Sequence, residues 1–316
     1  MIMNIQTIYI FGVGGVGGYI GSRMVQAAEK NQGIKVYFIA RGAHRDAISK
    51  NGLILETGTG TIVTRPALAT DDLTQIPDPD LCILCVKSYD LENACAKLKS
   101  KVHTGTVILP ILNGVDIYER IRKIIQTGIV LPGCVYMGAH IKEPGVIRHL
   151  DNNLVIYGKD PQYPNKVPGD LIEFLSGVPE MRFQFKADPY SSIWEKYMFV
   201  ASYALVTAYT RQPIRYVHDH AELRTIVTAI IAEIKAIAER KGFSFSANLA
   251  ETLTARGGKL QQEAQTSYQR DMAMKNGRNE GDIFGDTILR LGRELNVPTP
   301  VTEKIYHEIV VASGRP

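Results

Sequence analysis

The 316-residue sequence contains no apolar run near the ~20 residues that a membrane-spanning helix needs. Its apolar runs are short, such as 124–125 and 226–231, and Thr228 interrupts the second. No membrane partner is expected. No Lys or Arg precedes the first apolar stretch, residues 8–11, which runs straight into glycines. That stretch reads as a strand and not as a secretion signal, so a cytoplasmic location is expected. Strong charge imbalance is also missing: 36 Lys and Arg stand against 32 Asp and Glu, a net charge of +4 with no basic run. A nucleic-acid partner is therefore not expected, whereas a small anionic ligand fits.

Cysteine is scarce, with Cys82, Cys85, Cys95 and Cys134. Cys82 and Cys85 have the CxxC spacing of zinc and redox sites. They lie inside the apolar run 81–86, which suits a buried parallel strand, and alternation along a strand points them to opposite faces. They read as small core residues. The seven histidines are scattered, and His218-Asp219-His220 is too short a cluster to hold a metal by itself. No metal is expected. There is no internal repeat and no low-complexity tract.

What is present is an ordinary globular balance, 45% hydrophobic and 22% charged, in a chain long enough for two cores. Apolar runs at 8–11, 36–40, 81–86, 106–112 and 129–136 alternate with helix-length segments. This predicts an α/β fold, with an N-terminal Rossmann-type, doubly wound, mostly parallel sheet. Residues 146–157 read as a hairpin around Asp151-Asn152-Asn153, an antiparallel extension of that sheet, and 181–186 as a last strand. Helical periodicity then takes over at 191–208, 221–241, 246–256, 261–275, 283–295 and 301–312. Gly242 and Gly257-Gly258 sit where helices stop, and Pro298 and Pro300 where one starts. The expected division is residues 1–187 for the sheet domain and 188–316 for an all-α domain. Ile226, Ile230, Ile234 and Ile237 suit an internal core and a homodimer contact equally well.

Gly12-Val13-Gly14-Gly15-Val16-Gly17 matches G-x-G-x-x-G between a strand and a helix, the context that makes the pattern a dinucleotide-binding loop. The first glycine permits the turn, the second lets backbone approach a pyrophosphate, and the third lets helix and strand pack. The helix N-terminus offers N–H groups to the phosphates. An NAD site places a carboxylate at the end of the second strand. Here that strand ends Ile39-Ala40-Arg41-Gly42, and a guanidinium at Arg41 suits a 2′-phosphate. Arg45 follows closely, and Lys87 ends the third strand near the same edge. NADP(H) is the expected cofactor. Asn113, ending the fourth strand, reads either as a turn residue or as a contact to the nicotinamide half.

These motifs occur in the same order as Gly138-Ala139, Trp194-Glu195-Lys196 and Ser267-Tyr268-Gln269-Arg270-Asp271. Arg290-Leu291-Gly292-Arg293-Glu294 and Val297-Pro298-Thr299-Pro300 follow. Together they resemble the ketopantoate reductase (2-dehydropantoate 2-reductase) family over nearly the whole chain. The resemblance implies reduction of 2-dehydropantoate, a small anionic keto acid, to pantoate by NADPH. It implies that residues 1–187 bind NADP and that 188–316 form the substrate and catalytic domain. It implies further that Gly12 to Gly17, Arg41, Lys87, Asn113 and Ala139 contact the cofactor. Lys196 would be the catalytic lysine, Ser267 and Asn113 would meet substrate, and Glu280 would stand beside the nicotinamide ribose and Lys196. An ammonium at Lys196 also makes independent sense, since hydride addition to a ketone builds negative charge on oxygen.

Two departures stand out. Where the family carries substrate-binding asparagines, four and eight residues after the lysine, this chain has Val200 and Ala204. Apolar residues cannot make those bonds, which opens a second reading: another 2-oxo or 3-hydroxy acid. The stretch from Asp271 to Glu280 is one residue longer than the family's spacing, so Asn279 competes with Glu280. Glu280 is favoured by the residues that follow it. A protein that senses NADP without turnover is the remaining alternative.

Overall fold

A computed structural model of the chain describes residues 5–31, 33–166, 169–273 and 278–313. It divides into two compact units, Met1–Tyr190 and Ser191–Pro316.

The first unit begins with β1 (Thr7–Phe11), α1 (Gly15–Lys30), β2 (Lys35–Ile39) and α2 (Gly42–Asn51). A hairpin of β3 (Leu53–Thr57) and β4 (Gly60–Thr64) follows, then β5 (Leu68–Thr70), β6 (Leu81–Leu84) and α3 (Leu91–Leu98). The unit continues through β7 (Val107–Pro110), α4 (Ile117–Ile124), β8 (Ile129–Val130), β9 (Gly133–Glu143) and β10 (Val146–Gly158). It closes with α5 (Gly169–Ser176) and β11 (Arg182–Lys186).

Six strands form one sheet in the order β5-β2-β1-β6-β7-β8. Every pairing in it is parallel. The near-continuous apolar character of β1, β6 and β7 follows from burial on both faces. Ile8, Ile10, Ile83, Val107 and Leu109 are fully buried there, each contributing about 1.5–3 kcal/mol of burial. The strand order reverses between β1 and β6, which puts the switch point, and with it the ligand crevice, at their carboxyl ends.

The stretch expected as one strand over 129–136 is two. Leu131 and Pro132 lie between β8 and β9, and the chain changes sheet across them. The second sheet runs β11-β10-β3-β4, with β9 pairing β10. The expected hairpin around Asp151-Asn152-Asn153 is not a turn. It is an irregularity inside the 13-residue β10, where Asn152 takes a positive φ of 55°. The turn instead falls at Pro144 and Gly145, between the antiparallel β9 and β10. The β3–β4 hairpin and the three-residue β5 were not anticipated. β4 is largely exposed and Thr-rich, and β5 is too short to show a period.

Among the described residues the second unit is entirely helical: α6 (Tyr190–Thr210, opening at the last residue of the first unit), α7 (Ile214–Asp219), α8 (Ala221–Arg240), α9 (Leu249–Arg256), α10 (Ser267–Ala273), α11 (Thr287–Leu295) and α12 (Pro300–Ala312). α6 is buried almost all round from Ala201 to Ala208, which identifies it as the central helix. Pro300 occupies the first turn of α12, as its fixed φ favours. The helix expected over 261–275 is shorter: residues 261–266 are turn and coil, and 274–275 lie outside the described residues. A π-helical turn, Asp282–Asp286, leads into α11. No helix of the described residues is long and apolar enough to cross a membrane.

Candidate active site

In the first unit, three adjacent strand ends carry Gly12, Arg41 and Lys87. Gly12 leaves β1 with φ +96°, and its N–H donates to the Ile39 carbonyl at 3.1 Å. A Cβ there would lie 2.8 Å from the Cys85 carbonyl oxygen. At Gly17 a Cβ would meet the Gly12 oxygen at 2.0 Å, and at Gly15 it would meet the Ala139 oxygen at 2.2 Å. Strand β9 thus brings Ala139 against the glycine loop. Gly14 is different: a Cβ there meets nothing within 4 Å. Gly14 is also the N-cap of α1 and makes no side-chain cap. Three glycines are therefore required by packing, and the fourth leaves an open face beside a helix N-terminus. A pyrophosphate fits such a cradle. Val13 is buried, and Val16 packs partly buried on the core.

Arg41 caps α2 in extended conformation, and its guanidinium donates to Asp90 at 2.7 Å. The Arg41 side chain is 60% exposed. Lys87 caps the single turn 88–90, where its carbonyl accepts from the Asp90 N–H at 2.9 Å. Arg41 and Lys87 thus flank the strand that carries the glycine loop, Arg41 through its ion pair with Asp90 and Lys87 at the head of the turn that ends in Asp90. Arg45 does not join them; it is held by Asp46 at 2.7 Å and Asp71 at 2.6 Å. Asn113 lies half-buried just past β7, before Gly114 with φ +120°.

In the second unit, Lys196 lies on α6 and is only 8% exposed, while Glu280, just before the π-helical turn, is 3% exposed. Lys and Glu are almost never so buried unless paired. Ser267 opens α10, half-buried. The Thr266 hydroxyl beside it bonds Thr207 of α6 at 2.9 Å, fixing the start of α10 on that helix. Asn279 spends its amide locally: the oxygen accepts from the Gly281 N–H at 3.0 Å, and the nitrogen reaches the Met272 sulfur at 3.0 Å. Ala204 is fully buried and Val200 half-buried.

Sequence reasoning missed two residues at the first site. Asp90 is the carboxylate that engages Arg41. His44, on α2, accepts the Gly145 N–H at Nδ1, 3.0 Å away. Neither belongs to a periodic pattern, and their only signal was closeness in sequence to Lys87 and Arg41. The cysteines are free, and burial pushes the thiols of Cys82, Cys85 and Cys95 up, the last to about 12. Thiols of that kind are inert. Among the described residues no group of His, Cys, Asp and Glu could hold a metal ion.

The sequence model of the family described as ketopantoate reductase PanE/ApbA matches residues 8–162, and that of its C-terminal region matches 189–311. An uncharacterized oxidoreductase of Bacillus subtilis is 26% identical over 299 residues, covering 94% of this chain and 95% of its own. A 2-dehydropantoate 2-reductase of Pyrococcus horikoshii is 28% identical over 304 residues, covering 93% of each. The crystal structure of a PanE/ApbA family ketopantoate reductase from Ralstonia eutropha superposes with a TM-score of 0.86 at 22% identity, covering 98% of each chain.

Proposed function

Because the chain belongs to the ketopantoate reductase family, oxidoreductases acting on CH–OH groups, we propose that it reduces 2-dehydropantoate to pantoate with NADPH, in pantothenate and coenzyme A synthesis. We assign the cofactor to the sheet unit, the catalytic groups to the helical unit and the reaction to the cytoplasm. The observation that carries the reading is Lys196, a lysine side chain almost withdrawn from water on the central helix. When bound, NADPH supplies a hydride to the ketone carbon. Lys196 stabilises the charge that grows on the ketone oxygen and gives it a proton, leaving a hydroxyl and a neutral amine. Glu280 is the carboxylate that favours the charged lysine before that transfer. Its rival Asn279 has its amide occupied by Gly281 and Met272. Ser267 offers a hydroxyl to the substrate, and Asn113 an amide to substrate and the nicotinamide half. Gly12 to Gly17 hold the pyrophosphate against Ala139, and Arg41 with Lys87 takes the 2′-phosphate.

Replacing Lys196 by Ala should lower kcat for NADPH oxidation with 2-dehydropantoate by about 10²–10⁴-fold, the worth of a positioned general acid. Undiminished turnover would take Lys196 out of the mechanism; an inactive wild type would instead remove this substrate. Val200 and Ala204 support a second substrate reading, another 2-oxo or 3-hydroxy acid, because neither side chain can bond a polar substrate group. A panel of such acids, compared by kcat/KM, separates the two.

A further inference from the structure

Ser267 opens α10, and the residue before it caps that helix. The Thr266 hydroxyl oxygen accepts the Gln269 N–H at 3.1 Å, and the Thr266 carbonyl accepts the Arg270 N–H at 3.2 Å. A Thr at such a position satisfies N–H groups that the first turn of a helix leaves without partners. The same hydroxyl lies 2.9 Å from that of Thr207 on α6, and the Thr207 hydroxyl donates to the Ala204 carbonyl at 3.2 Å. Both threonines are buried. The order of the protons follows: Thr207 donates to Ala204, Thr266 donates to Thr207, and the Gln269 N–H donates to Thr266. Each hydroxyl then gives one bond and takes one. The opposite order would leave the Thr266 proton buried with no acceptor among the described residues, which is costly.

We propose that Thr207 is a positioning residue for the substrate: through Thr266 it sets where the Ser267 hydroxyl stands relative to Lys196. Thr207 is fully buried and its hydroxyl is spent in the chain of bonds, so it acts only through its neighbour. It follows Lys196 by eleven residues on α6, about three full turns, which puts the two on one face of the helix. The neighbours of Lys196 and Ser267 also meet a common element. The Tyr197 hydroxyl donates to the Ile283 carbonyl, and the Tyr268 ring lies 5.6 Å from that of Phe284, both in the π-helical turn that follows Glu280. α10 has seven residues, and a helix of that length does not hold itself in place. The threonine pair supplies the tie: a cap oxygen bonded from both sides keeps α10 from sliding along α6, and Ser267 is the next residue.

This role rests on the reading of Ser267 as a substrate contact, and the test separates the two. Wild type, Thr207→Val, Thr207→Ser, Ser267→Ala and the Thr207→Val, Ser267→Ala double variant are assayed with 2-dehydropantoate at saturating NADPH, then with NADPH at saturating 2-dehydropantoate. Thr207→Val keeps the shape without the bond and should raise KM for 2-dehydropantoate about fivefold, the worth of one neutral hydrogen bond. Both kcat and KM for NADPH should stay within about twofold, because Lys196 keeps its own place on α6. Thr207→Ser keeps the hydroxyl and should return KM to the wild-type value. In the double variant KM should equal that of Ser267→Ala alone, since both substitutions act on one contact. Unchanged KM in Thr207→Val, no rescue by Thr207→Ser, or independent effects in the double variant overturns the role. If Thr207→Val does not fold, Thr207→Ala takes its place with the same expectations. Wild-type KM in Ser267→Ala, or a wild type inactive on 2-dehydropantoate, would fail the substrate reading itself and the role of Thr207 with it.

Discussion

Arg41 meets a carboxylate before it meets any ligand. Its pair with Asp90 is 2.7 Å long, but the guanidinium is 60% exposed, and exposed pairs contribute about 0–1 kcal/mol. A 2′-phosphate, with more charge and three acceptor oxygens, can displace Asp90 at little cost. Replacing Arg41 by Ala should therefore raise the Kd for NADPH about tenfold or more while NADH changes by about twofold at most. Titration with both nucleotides decides it, and an equal loss for both would take Arg41 away from the 2′-phosphate. At the same scale, Lys196 and Glu280 are not readable from pattern alone. A lysine on a helix is usually solvated, and only the family's order of motifs singled this one out; its burial then separates it from ordinary surface lysines.

At the scale of elements, the glycine loop divides into positions with opposite demands. At Gly15 an added Cβ would overlap the Ala139 carbonyl at 2.2 Å, a backbone atom that cannot swing aside. Gly15→Ala should cost about 1–3 kcal/mol in urea unfolding, as overpacking does. Gly14→Ala has open space and should leave stability unchanged while NADPH binding falls, because the methyl occupies the approach of the phosphate. Equal stability losses would show that the two glycines serve the same packing role. The β1–loop–α1 unit was legible because strand, glycines and helix follow in one short stretch, each with its own chemistry. β10 was misread because Asp151-Asn152-Asn153 has turn composition. Its partners β3 and β11, about a hundred residues before and thirty after it in sequence, and β9 across the hairpin keep it one strand. Asn152 absorbs the irregularity in the left-handed conformation that Asn tolerates. Asp90 and His44 stayed hidden because single polar residues in a short turn or on a polar helix have no period to betray them.

For the whole molecule, the two units have separate cores. The sheet unit closes around Ile8, Ile10, Phe38, Ile83 and Leu109, and the helical unit buries Ile230, Ile231, Ile234 and Tyr203. A cofactor held by the native loop stabilises that state by mass action, about 2.7 kcal/mol at a hundred times its Kd. NADPH should raise the midpoint of thermal unfolding, measured by calorimetry, and should raise it equally in the Lys196→Ala variant. A shift abolished by that substitution would make Lys196 a determinant of cofactor affinity instead of turnover.

Strand β9, having left the nucleotide sheet at Pro132, returns in a second sheet to lay the Ala139 carbonyl over Gly15. The phosphate loop is thereby walled on one flank and open on the other. The molecule therefore leaves its glycine loop approachable on the side of Gly14, where a Cβ would meet nothing within 4 Å, through the path of its backbone and before any side chain takes part.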